Sequence, residues 1–171
     1  MYESLAYDQP VLFDKSETIT DEFTIHDLRK KAVIVMDKDA MAKSLYEFFD
    51  QLAENNIHYE KYMFTDEIEV YDLNKLLYQQ TMGTQLYIAA KWDDAVTIFT
   101  EAIEAGFTED EIQVSIDGET KRYVYCMKCY TLNETDYEPT TTCSNCHIGL
   151  EVGPFFSKVR KGYIGYLIPK A

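Results

Sequence analysis

The sequence has no cysteine outside two Cys-x-x-Cys pairs, Cys126-Met127-Lys128-Cys129 and Cys143-Ser144-Asn145-Cys146. It has no apolar run near the roughly 18 residues that a membrane helix needs. It has no glycine-rich turn, and its 16 Lys and Arg are outnumbered by 30 Asp and Glu. The first absence leaves no odd thiol to compete for a partner. The second excludes a transmembrane helix. The acidic start Met1-Tyr2-Glu3-Ser4 leads into no apolar stretch, so it does not read as a secretory signal. The expected compartment is the cytoplasm, with no membrane partner.

What is there centres on those cysteines. Thirteen residues separate the two pairs, enough for a loop that folds back on itself. A divalent ion takes soft thiolates in a tetrahedron, and two tight turns that each donate two sulfurs supply that geometry. Cys126, Cys129, Cys143 and Cys146 are therefore the candidate metal ligands. The alternative, two disulfides, needs an oxidising compartment, and nothing in the sequence points to one. His147 directly follows Cys146. It is a fifth donor by type, but four thiolates already satisfy a tetrahedral ion, so a surface or supporting place is expected.

The formal charge of −14 is uneven: residues 121–171 carry seven Lys/Arg and four Asp/Glu, net +3, which leaves −17 on residues 1–120. An acidic body repels phosphates, so no nucleic-acid partner is expected. Such a body suits docking to a basic protein surface, although acidity also serves solubility alone.

Along the chain, residues 1–31 read as an N-terminal arm, with a short strand expected near Val11-Leu12-Phe13. The apolar run Ala32-Val33-Ile34-Val35-Met36 predicts a strand buried on both faces. Asp39 is placed to cap a following helix, on which Met41, Leu45, Phe48, Phe49 and Leu52 recur at helical spacing up to Asn55-Asn56. A strand over 58–64 and a helix around 72–77 follow, the helix ending at Gly83. A strand over 85–89 comes next. A helix from about Asp93 then carries Val96, Phe99, Ala102 and Ile103 on one face, with Gly106 as its C-terminal cap. A strand over 111–115 closes at Asp117-Gly118. Residues 32–120 thus read as an α/β domain, a small parallel sheet flanked by helices, Rossmann-like but degenerate. Residues 121–171 form a C-terminal zinc-ribbon or rubredoxin-like lobe.

The sheet domain offers no nucleotide cradle. Its first turn, Met36-Asp37-Lys38-Asp39-Ala40, contains no glycine and two carboxylates, which repel the pyrophosphate that glycine-rich turns attract. No Ser-His-Asp or Cys-His grouping stands out among the three histidines, and His58 reads as structural. No catalytic and no cofactor-binding residue is assigned. Tyr123, Tyr125, Tyr130, Tyr163 and Tyr166 gather around the metal lobe, either to pack a small core or to meet a partner.

The last ninety residues resemble a known family. Gly83 to Ala90, Glu104-Ala105-Gly106 and Phe107 to Ile112 resemble the end of a ferredoxin-reductase-type nucleotide domain. Arg122 to Cys129, Cys143 to Cys146, Leu150-Glu151-Val152, Phe156-Ser157 and Gly162-Tyr163-Ile164-Gly165 follow in the order of the small A subunit of dimethylamine monooxygenase. The chain departs from that family at Phe155-Phe156-Ser157-Lys158-Val159 and at His147, where the family has His-Phe/Tyr-Ser-Arg-Arg and glycine. The resemblance implies an accessory subunit of a multicomponent NAD(P)H-dependent monooxygenase acting in oxidative N-demethylation of a secondary amine. Its implied partners are a flavin/iron–sulfur reductase subunit and a haem-containing subunit, which would carry the flavin, iron–sulfur cluster and haem. A rubredoxin-like electron carrier and an unrelated zinc-ribbon interaction module are the alternatives. Rubredoxin knuckles favour glycine after the second cysteine of each pair. Tyr130 and His147 stand there, which favours redox-inert zinc over iron.

Overall fold

The computed structural model describes residues 9–40 and 43–169, with the side chains of 43 and 44 left out. Met1 to Ser4 and Met41, which entered the reading above, lie outside the described residues. The chain divides into two compact units, one of residues 15–119 and one that joins the segment up to Asp14 to residues 120 onward.

The first unit alternates strands β1 (Lys31–Asp37), β2 (His58–Phe64), β3 (Thr84–Ala90) and β4 (Ile112–Ile116) with helices α1 (Lys43–Glu54), α2 (Val70–Tyr78) and α3 (Trp92–Glu104). All strand pairs are parallel, in the order β2-β1-β3-β4. The order reverses between β1 and β3, as in flavodoxin-type doubly wound sheets. The two central strands are buried nearly end to end, which is why Ala32–Met36 and Leu86–Ala90 read as continuous apolar runs rather than alternating ones.

On one sheet face, Ala32, Ile34, Met36, Tyr87 and Ala89 meet Leu45, Phe48 and Leu52 of α1. Phe23 and Ile25 of the arm complete this layer; the Phe23 ring lies 5.2 Å from Tyr87 and 5.3 Å from Phe48. The Tyr87 hydroxyl donates to Thr24 O at 3.0 Å. The strand expected at Val11–Phe13 is absent. The arm instead pairs once with the edge of β4, through the Ile19–Val114 bridge, where Thr20 N–H and Val114 N–H each donate across at 2.8 Å. That contact covers part of an otherwise open sheet edge.

Three local expectations change. The carboxylate that caps the turn after β1 is Asp37, whose Oδ1 accepts the Asp39 N–H at 2.9 Å; Asp39 lies inside the short 3-10 turn Lys38–Ala40. Helix α2 ends at Tyr78, so Gly83 does not terminate it. Gly83 takes φ +87° in the turn that delivers β3. The buried face of α3 is Trp92, Ala95, Ile98, Phe99 and Ala102, turned one residue from the expected stripe, with Val96 and Ile103 half-buried. Gly106 does close α3. Its N–H donates to Ile103 O and the Phe107 N–H to Ala102 O, both at 3.0 Å, with Gly106 at φ +102°.

The second unit is a five-stranded sheet of β5 (Arg122–Cys126), β6 (Leu132–Thr135), β7 (Thr140–Thr142), β8 (Gly149–Ser157) and β9 (Gly162–Leu167), ordered β6-β5-β9-β8-β7. Only the β5–β9 pair is parallel. Residues 9–14 belong to this lobe. Leu12 is buried, Phe13 stacks on Phe156 with ring centroids 4.3 Å apart, and the Tyr163 hydroxyl donates to Asp14 Oδ1 at 2.9 Å.

Candidate metal centre

Strand β5 ends on the first cysteine pair, and the second pair lies in the turn between β7 and β8. The two turns repeat one hydrogen-bond scheme. Cys126 O accepts the Tyr130 N–H at 2.8 Å, and Cys143 O accepts the His147 N–H at 3.0 Å. Cys126 N–H donates to Thr131 O and Cys143 N–H to Ile148 O, both at 2.9 Å. Tyr130 and His147 both take left-handed backbone, at φ 64° and 56°. The absence of glycine therefore does not prevent the knuckle turn.

Gly165 seats the first knuckle. It pairs with Cys126 across β5 and β9, and its carbonyl accepts the Met127 N–H at 3.3 Å. A Cβ there would lie 2.8 Å from Val124 Cγ1 and 3.1 Å from Tyr125 O, so only glycine allows the close approach.

The two turns bring all four sulfurs within 4.8 Å of one another. Cys126 Sγ lies 3.8 Å from Cys146 Sγ, and Cys129 Sγ 3.5 Å from Cys143 Sγ. Metal–sulfur bonds of about 2.3 Å at tetrahedral angles give sulfur–sulfur edges of about 3.8 Å, while a disulfide needs about 2.05 Å. The cluster is thus spaced to hold a four-coordinate ion. Cys126 and Cys143 are buried against Val124, Leu150 and Tyr163, and Cys129 and Cys146 are half-buried. His147 is exposed and outside the cluster.

The local dipoles favour negative charge on some of these sulfurs, and their crowding opposes it on others. The Thr131 hydroxyl, 3.3 Å from Cys129 Sγ, and then the Thr131 N–H pull the Cys129 thiol down to about 5. Burial opposes ionisation of Cys143, but the N–H groups of Cys146 and Asn145 outweigh it and lower its pKa. At Cys146 the Ile148 N–H favours the thiolate, yet burial and the three neighbouring sulfurs prevail and push the thiol up to about 11. Four thiolates this close would repel one another, and a divalent ion among them would offset that charge.

Residues 123–166 match the family model described as dimethylamine monooxygenase subunit DmmA-like, C-terminal domain. This is the family that the cysteine lobe resembles in sequence, and all four cysteines fall inside the matched residues. No curated protein and no solved structure matches the chain.

Sequence reasoning missed the supports of this lobe. Asn133 and Thr131 carry no motif; a single amide in the strand Leu132–Thr135 gives no signal of burial beside a sulfur. Of the tyrosines, Tyr163 and Tyr125 are buried, while Tyr130 and Tyr166 are exposed. Arg160 is engaged: its guanidinium donates to the Tyr125 hydroxyl at 3.1 Å and lies 4.9 Å from the Tyr125 ring centroid. Lys158, Lys161 and Phe155 are exposed on the β8–β9 connection or close to it.

In the α/β unit, Asp37 is buried at the end of β1, beside the switch in strand order. Burial, then the charges of Asp37 and Asp93, raise the pKa of Asp94 at the start of α3. Carboxylates therefore gather where doubly wound sheets seat their ligands. Among the described residues, no helix is long and apolar enough to cross a membrane.

Proposed function

We propose that the chain is an accessory, non-catalytic subunit of a multicomponent NAD(P)H-dependent monooxygenase that acts in oxidative N-demethylation of a secondary amine such as dimethylamine. The observation that carries this reading is the coincidence of the DmmA-like match with the four-thiolate cluster. In this role Cys126, Cys129, Cys143 and Cys146 hold one structural zinc ion, and the lobe is a docking module. Structural zinc supplies folding free energy to a lobe too small for a large core. The α/β unit holds no nucleotide in this role, because the acidic strand ends repel phosphate.

The partners in this reading are a flavin/iron–sulfur reductase subunit and a haem-containing subunit, which carry the redox groups. Reconstitution tests it. The tagged chain should retain a haem-containing and a flavin-containing protein, and amine demethylation should need the chain together with them. Turnover by the isolated chain, or full turnover without it, overturns the accessory role.

The knuckle geometry is equally compatible with a second reading, a rubredoxin-like electron carrier with iron. Both knuckles reach the left-handed turn without glycine, so the backbone suits iron as well as zinc. Iron in the site would add a visible thiolate-to-iron absorption band, and zinc would not.

A further inference from the structure

We propose that Asn133 is a positioning residue of the thiolate centre, whose side-chain amide donates to the Cys143 sulfur and fixes the second knuckle to the first. Asn133 sits on β6, between the two pairs in sequence, and is 4% exposed. Its Nδ2 lies 3.2 Å from Val124 O, 3.1 Å from Thr131 O and 3.7 Å from Cys143 Sγ. Its Oδ1 accepts from Ser144 N and from Ser144 Oγ, both at 2.8 Å. One buried amide thus joins β5, the exit of the first knuckle, a ligand sulfur and the residue after it. Both lone pairs are used, and the two N–H groups face three acceptors, so one N–H is shared between Cys143 Sγ and a backbone carbonyl.

The polarity of this contact separates it from plain packing. A thiolate concentrates negative charge, and an N–H directed at it offsets part of that charge and tunes the sulfur as a donor. Asn133→Asp keeps the shape and the Oδ1 acceptor for Ser144. It replaces the –NH2 donor by a second acceptor and so turns attraction into repulsion toward Val124 O and Thr131 O as well as toward Cys143, which is why the cadmium coupling is the readout that isolates the sulfur contact. Ser144→Ala removes one Ser144 bond and leaves the donor to sulfur in place.

The inference rests on the reading of the cluster as a metal site, and its test reads the metal directly. In the full chain labelled with 15N and loaded with 113Cd, a scalar coupling from cadmium to one Asn133 Hδ2 proton is expected through the N–H···S–Cd path. Couplings seen from backbone N–H groups but absent from Asn133 overturn the proposal. In the cobalt(II)-loaded chain, Asn133→Asp should shift the thiolate-to-metal band, and it should weaken zinc against a chelator about ten- to a hundredfold. Ser144→Ala should leave the band in place. An Asn133→Asp variant equal to wild type in band position and zinc retention also overturns it. If that variant does not fold, the cadmium coupling in the wild-type chain decides alone. A wild-type chain that binds no stoichiometric metal fails the metal-site reading instead, a result distinct from all of these.

Discussion

Tyr130 and His147 occupy equivalent places: each follows the second cysteine of its pair, adopts left-handed backbone, and donates its N–H to the carbonyl of the first cysteine. A non-glycine residue there costs about 1–2 kcal/mol. Glycine removes that strain but loses about 0.5–1 kcal/mol of chain entropy. Tyr130→Gly and His147→Gly should therefore hold metal as well as wild type or up to about 1.5 kcal/mol better. Tyr130→Val, β-branched at a left-handed position, should release it more readily. Chelator titration of the three variants checks the order, and equal retention by valine would show that the turn carries no strain.

Single Cys→Ser replacements at Cys126, Cys129, Cys143 or Cys146 should unfold the lobe and leave the α/β unit folded. A structural zinc site contributes on the order of 10 kcal/mol, more than a lobe of this size gains from its core. Amide spectra that lose β5–β9 resonances and retain those of β1–β4 are the expected result. A lobe that stays ordered without metal would contradict it.

Phe13→Ala should destabilise the lobe by about 1–3 kcal/mol, because it removes the stacked partner of Phe156 while the ring is only partly buried. Thermal unfolding followed through lobe resonances measures this. No shift in their midpoint would mean that the segment before Asp14 does not support the lobe.

The α/β unit should bind neither NAD(P)H nor flavin tightly, since Asp37, Asp93 and Asp94 collect at the switch point. Calorimetric titration should give no heat in the low micromolar range. Saturable binding there would show that the carboxylates do not exclude phosphate.

Partner docking should depend on the exposed cations beside Phe155. Lys158→Glu with Lys161→Glu is the cleaner variant, because Arg160 is tied to Tyr125 and its loss would also disturb the lobe. Assembly should weaken at low salt without unfolding. Co-purification equal to wild type at matched salt would place the interface elsewhere.

Much of this was legible from local pattern. The continuous run Ala32–Met36 announces a strand buried on both faces, and the paired cysteines announce the cluster. What escaped depends on three-dimensional packing. The face of α3 turned by one residue because Trp92, Ala95 and Ile98 are the side chains buried in this packing. The arm segment 18–25 carries no periodicity, since it binds through one bridge and through Phe23 and Thr24 rather than through a regular element. Asn133 is invisible as a motif because its role arises only where β6 passes Cys143. Left-handed backbone at Tyr130 and His147 is not legible from residue type, because the hydrogen bonds of the knuckle hold a conformation that propensity disfavours.

The most direct test is elemental analysis of the purified full chain, with thiol titration and a visible spectrum of the same sample. The account predicts about one zinc ion per chain, no disulfide and no visible band. No stoichiometric metal, or two disulfides among the four cysteines, would contradict the metal centre, and one iron with visible absorption would replace structural zinc by an electron carrier.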